Sequence, residues 1–122
     1  MAKILVVEDE KDLLDIYTEI LGEGGHDVST AENGKGALDL MKDNKFDLIL
    51  LDLMMPEVDG IEVLKTARGD SEKYGDPRIV ILTNLSSDAV IKESFAAKAD
   101  GYLMKTELAP DQVREEVNGF LL

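Results

Sequence analysis

Five short apolar runs, separated each time by a stretch with helical spacing, constrain this chain more than any other feature. They are KILVV (3–7), DVSTA (27–31), LILLDL (48–53), RIVIL (78–82) and GYLM (101–104). The first, third and fourth are almost unbroken Ile, Leu and Val, as in strands buried on both faces of a parallel sheet. The second and fifth are weaker and read as edge strands. Between them, Leu13, Tyr17, Ile20 and Leu21 follow helical spacing, as do Ala37, Leu38 and Met41, then Gly60, Val63, Leu64 and Ala67. A helix from about Asp88 to Lys98 carries Ile91 and Phe95, and Val113, Val117, Phe120 and Leu121 form the last stripe. Pro110 and Asp111 suit the start of that last helix, where a missing N–H and a negative charge are both tolerated. Strand–helix alternation repeated five times implies a parallel sheet with helices on both faces. The polar stretch RGDSEKYGDP (68–77) reads as a loop leading into the fourth strand.

The 122 residues, 44% of them hydrophobic, suffice for one compact core, so the expectation is a single domain over 1–122. No repeat or linker divides it. The chain has no cysteine, which excludes disulfides, thiol catalysis and thiolate metal sites and fits a reducing cytoplasm. The N-terminus MAKILVVEDE is charged by residue 8, unlike a secretion signal, and no apolar run approaches the roughly 18 residues of a membrane span. Asp and Glu number 26 against 13 Lys and Arg, a formal charge of -13. Such a surface repels nucleic acid and anionic membranes, whose binding needs clustered cations.

Most of these carboxylates belong to a solvated surface. The exceptions stand where strands end, because ligands of an open α/β sheet bind beyond the carboxyl ends of its strands. Glu8, Asp9 and Glu10 follow the first strand, Asp52 the third, Thr83 the fourth and Lys105 the fifth. Strands one and three should be neighbours at the topological switch point, which brings Glu8, Asp9 and Asp52 together. Taken singly, most have plain alternatives. Glu8 and Asp9 can be N-terminal charges for a helix, Thr83 a β-branched strand residue, and Lys105 a solvated lysine. Asp52 is harder to explain, because every other residue of its run is aliphatic. Three converging carboxylates must raise their pKa values or share a cation. Mg²⁺ suits them, being held by one or two carboxylates plus phosphate oxygens. With Lys105 as a positive charge and Thr83 as a hydroxyl donor, the set reads as a phosphoryl-transfer site with Asp52 as the nucleophile.

These segments closely resemble the receiver domain of bacterial two-component response regulators, of the single-domain chemotaxis-regulator type. The resemblance runs over the whole chain and rests on VVEDE, LLDLMMPEVDG, ILT and ADGYLMK. It implies a flavodoxin-like, doubly wound sheet of five parallel strands in the order 2-1-3-4-5, with five helices. It implies that Asp52 is the phosphoacceptor, and that Glu8 and Asp9 hold Mg²⁺ with Asp52 and the backbone carbonyl of Met54. Thr83 is then the switch hydroxyl, Lys105 the lysine that contacts the phosphoryl group and Tyr102 the switch aromatic. Pro56 and Gly60 shape the loop after the phosphoacceptor. A histidine kinase or phosphotransfer protein would supply the phosphoryl group. A downstream protein target or a fused output domain would read the change on helix four, strand five and helix five. On this reading the chain is a phosphoacceptor that takes part in its own phosphorylation and dephosphorylation, rather than an enzyme.

The sequence also departs from the family pattern. Thr106 stands where proline usually follows the lysine, Asn84 where a small residue is preferred, and Lys98 where glycine often ends helix four. Other readings fit less well. An aspartate-nucleophile phosphatase typically carries its nucleophile after strand one as D-x-D, where this chain reads EDE. A flavodoxin-like cofactor binder needs a phosphate loop there, and the acidic triplet would repel it. A degenerate receiver used only for interaction would not need the full acidic set with Thr83 and Lys105. His26, in a helix-to-strand loop, is expected at the opposite pole with no part in phosphotransfer.

Overall fold

The computed structural model describes residues 2–55, 58–85 and 87–122; the expected role of Pro56 falls outside these. Five parallel strands form one sheet in the order β2-β1-β3-β4-β5. They are β1 (Lys3–Val7), β2 (Asp27–Ala31), β3 (Leu48–Leu51), β4 (Arg78–Thr83) and β5 (Gly101–Met104). The two weaker runs are the edges, as their composition implies. Six helices are described, α1 (Lys11–Glu23), α2 (Gly34–Asp43), α3 (Gly60–Gly69), α4 (Ser71–Tyr74), α5 (Asp88–Ala96) and α6 (Pro110–Leu121).

The sixth helix corrects the expectation of five. It is the single turn α4, inside the stretch read as a polar loop. Asp70 caps it by accepting from the Lys73 N–H at 3.2 Å, and Gly75 ends it at a φ of 79°. Four residues are too few to show a hydrophobic period.

Alternation along the strands divides the core. Leu5, Val7, Ile49, Leu51, Ile79 and Ile81 face α2, α3 and α4, with Val90 of α5 packed alongside. Ile4, Val6, Leu48, Leu50, Val80 and Leu82 face the other way and bury Leu14, Tyr17 and Leu21 of α1 with Val113 and Val117 of α6. Each fully buried aliphatic or Phe side chain contributes roughly 1.5–3 kcal/mol. The buried edge of α1 is Leu14, Tyr17 and Leu21; Leu13, read into that stripe, is only partly buried. On α5, Phe95 is exposed and Ser94 is buried instead, its hydroxyl donating to the Val90 carbonyl at 2.9 Å. α5 ends short of Lys98, which takes the left-handed conformation at φ 74° although it is not glycine. The Arg68 Nε–H donates to the Lys98 carbonyl at 3.0 Å and helps hold that turn.

Candidate functional site

The carboxyl end of the sheet is extended one residue past its strands by backbone hydrogen bonds. The Glu8 N–H donates to Ala31 O at 3.1 Å, the Asp52 N–H to Val7 O at 3.0 Å and the Lys105 N–H to Thr83 O at 2.9 Å. The ladder therefore fixes the backbones of Glu8, Asp52 and Lys105 before any side chain acts. The aliphatic runs of β1 and β3 serve this placement by burying both faces of the two central strands that carry Glu8 and Asp52.

Their side chains meet. The Lys105 ammonium stands 2.6 Å from Glu8 Oε1 and 3.0 Å from Asp52 Oδ2. All three are poorly exposed, at 10%, 2% and 5% of their side-chain surface. The Met54 N–H donates to the other Asp52 oxygen, Oδ1, at 3.1 Å. Glu8 Oε2 is buried with no protein partner. Glu8, Asp9 and Asp52 each offer an oxygen, and these lie within 4.8 Å of one another, with Asp9 exposed to solvent. An all-oxygen set with an orphaned buried oxygen and an open side fits a hard divalent cation.

Burial first, and then hydrogen bonding to Asp52, pushes the Glu8 carboxyl up to about 8. Burial would also raise Asp52, but its bonds to Glu8 and Lys105 outweigh that and hold it below the usual carboxylate range. The pair thus keeps a proton on the Glu8 side and the negative charge on Asp52. Burial would lower the Lys105 ammonium, yet its bonds to Glu8 and Asp52 raise it. Lys105 therefore stays charged between the two carboxylates.

Thr83 is fully buried at the end of β4. Its Oγ1 lies a long 3.5 Å from the Leu85 N–H and, among the described residues, makes no bond to the carboxylates or to Lys105. The Tyr102 hydroxyl donates to the Leu85 carbonyl at 2.7 Å. Leu85 thus joins the two residues expected to act as switches, a link the sequence does not announce because it runs through backbone atoms. The Met54 side chain is exposed beside Asp52. Gly60 packs so tightly that a Cβ there would lie 2.7 Å from the Leu53 Cα and against the Asp52 carbonyl, which explains glycine in this loop. Among the described residues no peptide bond is cis, the one between Lys105 and Thr106 included. His26 lies at the other pole, where Nδ1 accepts from the Ala2 N–H at 3.2 Å and Nε2 meets Asn118 Oδ1 at 2.8 Å.

The sequence model of the response regulator receiver domain matches residues 4–118. The chain belongs to this family. Among curated relatives, the Bacillus subtilis protein named as uncharacterized transcriptional regulatory protein YrkP is 40% identical over 103 residues, covering 84% of this chain and 42% of its own length. The Escherichia coli transcriptional regulatory protein CpxR is 38% identical over 105 residues, covering 86% of this receiver and 43% of its own length. The Bacillus subtilis transcriptional regulatory protein ResD is 38% identical over 119 residues, or 98% and 48%. The receiver therefore spans less than half the length of these relatives. Among solved structures, the Francisella response regulator 1452 receiver domain has a TM-score of 0.87 at 32% identity, covering 99% of this chain and 97% of that one. The Vibrio cholerae chemotaxis response regulator CheY4 reaches 0.89 at 31% identity, covering 98% of each. Family and neighbours agree with the flavodoxin-like order 2-1-3-4-5. Among the described residues, no helix is long and apolar enough to cross a membrane.

Proposed function

We propose that this receiver takes a phosphoryl group onto Asp52 from a histidine kinase or phosphotransfer protein of a two-component system. The observation that carries the reading is the buried contact of Asp52 with Lys105, beside a Glu8 whose second oxygen is unpartnered. An oxygen of the Asp52 carboxylate attacks the phosphorus, the bond from phosphorus to the donor nitrogen breaks, and an acyl phosphate results. Asp52 is suited to attack because it carries the negative charge of the carboxylate pair. Lys105, released from one carboxylate, pairs with the phosphoryl oxygens as charge builds on them. Glu8, Asp9 and Asp52, with the Met54 carbonyl, would hold Mg²⁺. When bound, Mg²⁺ supplies further neutralisation of the transferring group.

The acyl phosphate then draws the Thr83 hydroxyl from Leu85 toward its oxygens. That movement disturbs the Leu85 backbone that Tyr102 grips, so Tyr102 changes rotamer. The surface of α5, β5 and α6, which corresponds to helix four, strand five and helix five of the sequence reading, is remodelled. This is a two-state element biased by a local charge. A downstream protein target or a fused output domain reads it, in the cytoplasm, without direct nucleic-acid or membrane contact by this domain. The protein acts as a phosphoacceptor that promotes its own phosphorylation and dephosphorylation.

Borohydride trapping tests the assignment, because it reduces an aspartyl phosphate to homoserine. Peptide mapping of the phosphorylated protein is expected to find homoserine at position 52. A stable label on another side chain, or reduction elsewhere, contradicts it.

A further inference from the structure

A groove of about 490 Å³ opens between α3 and α5, lined by no described residue of β5 or α6. Its volume is well inside the range of pockets that bury a bound group. The floor is aliphatic. Leu53, one residue after Asp52, lies buried at the bottom; Ile61 of α3, Leu85 after β4 and Val90 of α5 flank it and stay only partly buried. An aliphatic surface left half-covered inside a polar rim marks a docking site. The rim is acidic. Asp59, Glu62 and Glu93 all stand on it and are exposed. Lys65 is the one cation on the rim among the described residues, and Glu93 engages it at 3.8 Å. Neither Asp59 nor Glu62 is in an ion pair among the described residues. Asp59 is also fixed in place, since its Oδ1 accepts from the Glu62 N–H at the start of α3 at 2.9 Å. Leu85 connects this groove to the switch residues. Its carbonyl accepts from the Tyr102 hydroxyl at 2.7 Å, and its N–H faces Thr83 Oγ1 at 3.5 Å.

We propose that this groove docks a cationic amphipathic helix of a partner protein, and docks it best in the arrangement described here, with Tyr102 bonded to Leu85. Aliphatic residues on one face of that helix fill the floor, as in other helix-in-groove contacts, and its Lys or Arg residues face Asp59 and Glu62. An acidic segment would be repelled by that rim and by the chain's formal charge of -13, whereas a cationic one is steered in. Net charge alone would draw a cationic helix to many places; the aliphatic floor fixes it at this one. The dependence on Tyr102 rests on the phosphoacceptor reading, and the docking itself does not. Withdrawal of Thr83 and rotation of Tyr102 free the Leu85 backbone, so one wall of the groove shifts and the helix loses an anchor. By linkage, an occupied groove disfavours the phosphorylated form by the same factor.

Methyl NMR titration with a synthetic amphipathic helical peptide of Leu and Lys tests the docking, beside control peptides in which Ser replaces Leu or Glu replaces Lys. The Leu–Lys peptide alone is expected to shift the methyl signals of Ile61, Leu85 and Val90. Glu62→Lys, a change at an exposed side chain, should weaken its Kd by about fivefold or more, since like charges then meet at the rim. Equal shifts with either control peptide, shifts centred on the exposed Ile16 or Phe95 instead, or an unaltered Kd in Glu62→Lys overturn the docking. Treating the wild type with a small-molecule phosphodonor and Mg²⁺ should weaken the Kd of the Leu–Lys peptide by about fivefold or more. An unchanged Kd on protein whose mass shows the phosphoryl adduct overturns the link to Tyr102. If no adduct forms, the phosphoacceptor reading fails, and the titration of untreated protein alone decides whether the groove docks the helix.

Discussion

The ammonium of Lys105 lies 2.6 Å from Glu8, joining the end of β5 to the end of β1 across the mouth of the sheet. Asp52, between them, takes the second bond of the same ammonium at 3.0 Å. One buried cation therefore answers two buried carboxylates.

Replacing Lys105 by Met should cost about 3 kcal/mol of stability in Mg²⁺-free buffer, the low end for removing one partner of a buried pair. The loss is at the low end because Glu8 already holds a proton well above the usual carboxylate range. Urea denaturation with and without Mg²⁺ checks this. The metal should stabilise Lys105→Met more than the wild type, since it takes over the missing charge. Equal Mg²⁺ increments in the two proteins would mean that lysine and metal do not share a role.

The Glu8 carboxyl, raised to about 8, would make the proposed Mg²⁺ binding pH-dependent. Mg²⁺ needs the ionised form, so binding must expel a proton. Below pH 8 the apparent Kd should fall by up to roughly tenfold per pH unit as pH rises, levelling off above it. In the metal-free protein a raised carboxyl favours folding at low pH. The Glu8 contribution is complete below its ordinary value of 4.5 and fades as pH rises through about 8. Asp52, which is lowered, acts oppositely, and its contribution is lost only as pH falls below 3.8. Glu8→Gln should remove the decline in stability between pH 5 and 8. A decline that survives in Glu8→Gln assigns it to other groups.

Lys98 takes a left-handed conformation, at φ 74°, which glycine adopts without steric cost. Its side chain is exposed, so little is lost with it. Lys98→Gly should therefore stabilise the fold by about 0.5–1 kcal/mol, after allowing for the greater freedom of glycine when unfolded. Thermal unfolding would show a raised midpoint. A lowered midpoint would mean that the Lys98 side chain contributes more than its strained backbone costs.

Much of this was legible in the sequence because β1, β3 and β4 are short aliphatic runs that lead into a polar residue, Glu8, Asp52 and Thr83, while β2 and β5 are visibly weaker. The five strands, the edge positions of β2 and β5, and the meeting of Glu8, Asp9 and Asp52 all follow from that pattern. What was illegible had no pattern to carry it. The single turn α4 is shorter than one hydrophobic period. The exposure of Phe95 depends on how α5 is rotated against the sheet, and spacing on so short a helix does not fix that. The bond from Tyr102 to the Leu85 carbonyl runs to a backbone atom whose position is set by a loop.

Met54 and Leu85 flank the site, Met54 with its side chain exposed beside Asp52 and Leu85 with its backbone between Thr83 and Tyr102. Both are apolar and should hinder water from attacking the acyl phosphate. Met54→Asn and Leu85→Glu are expected to accelerate dephosphorylation by about tenfold or more together, within the usual reach of a side chain that positions water. Following the decay of the phosphorylated form after donor removal checks it. Unchanged decay in both variants excludes these side chains as the gate.

The central claim is that Asp52 is the phosphoacceptor in a Mg²⁺-dependent site. Intact-protein mass after incubation with a small-molecule phosphodonor tests it most directly, with and without Mg²⁺, for the wild type and Asp52→Ala. One phosphoryl adduct that needs Mg²⁺ and disappears in Asp52→Ala is the predicted result. No adduct on a folded wild-type protein, or an adduct that persists in Asp52→Ala, would contradict the account.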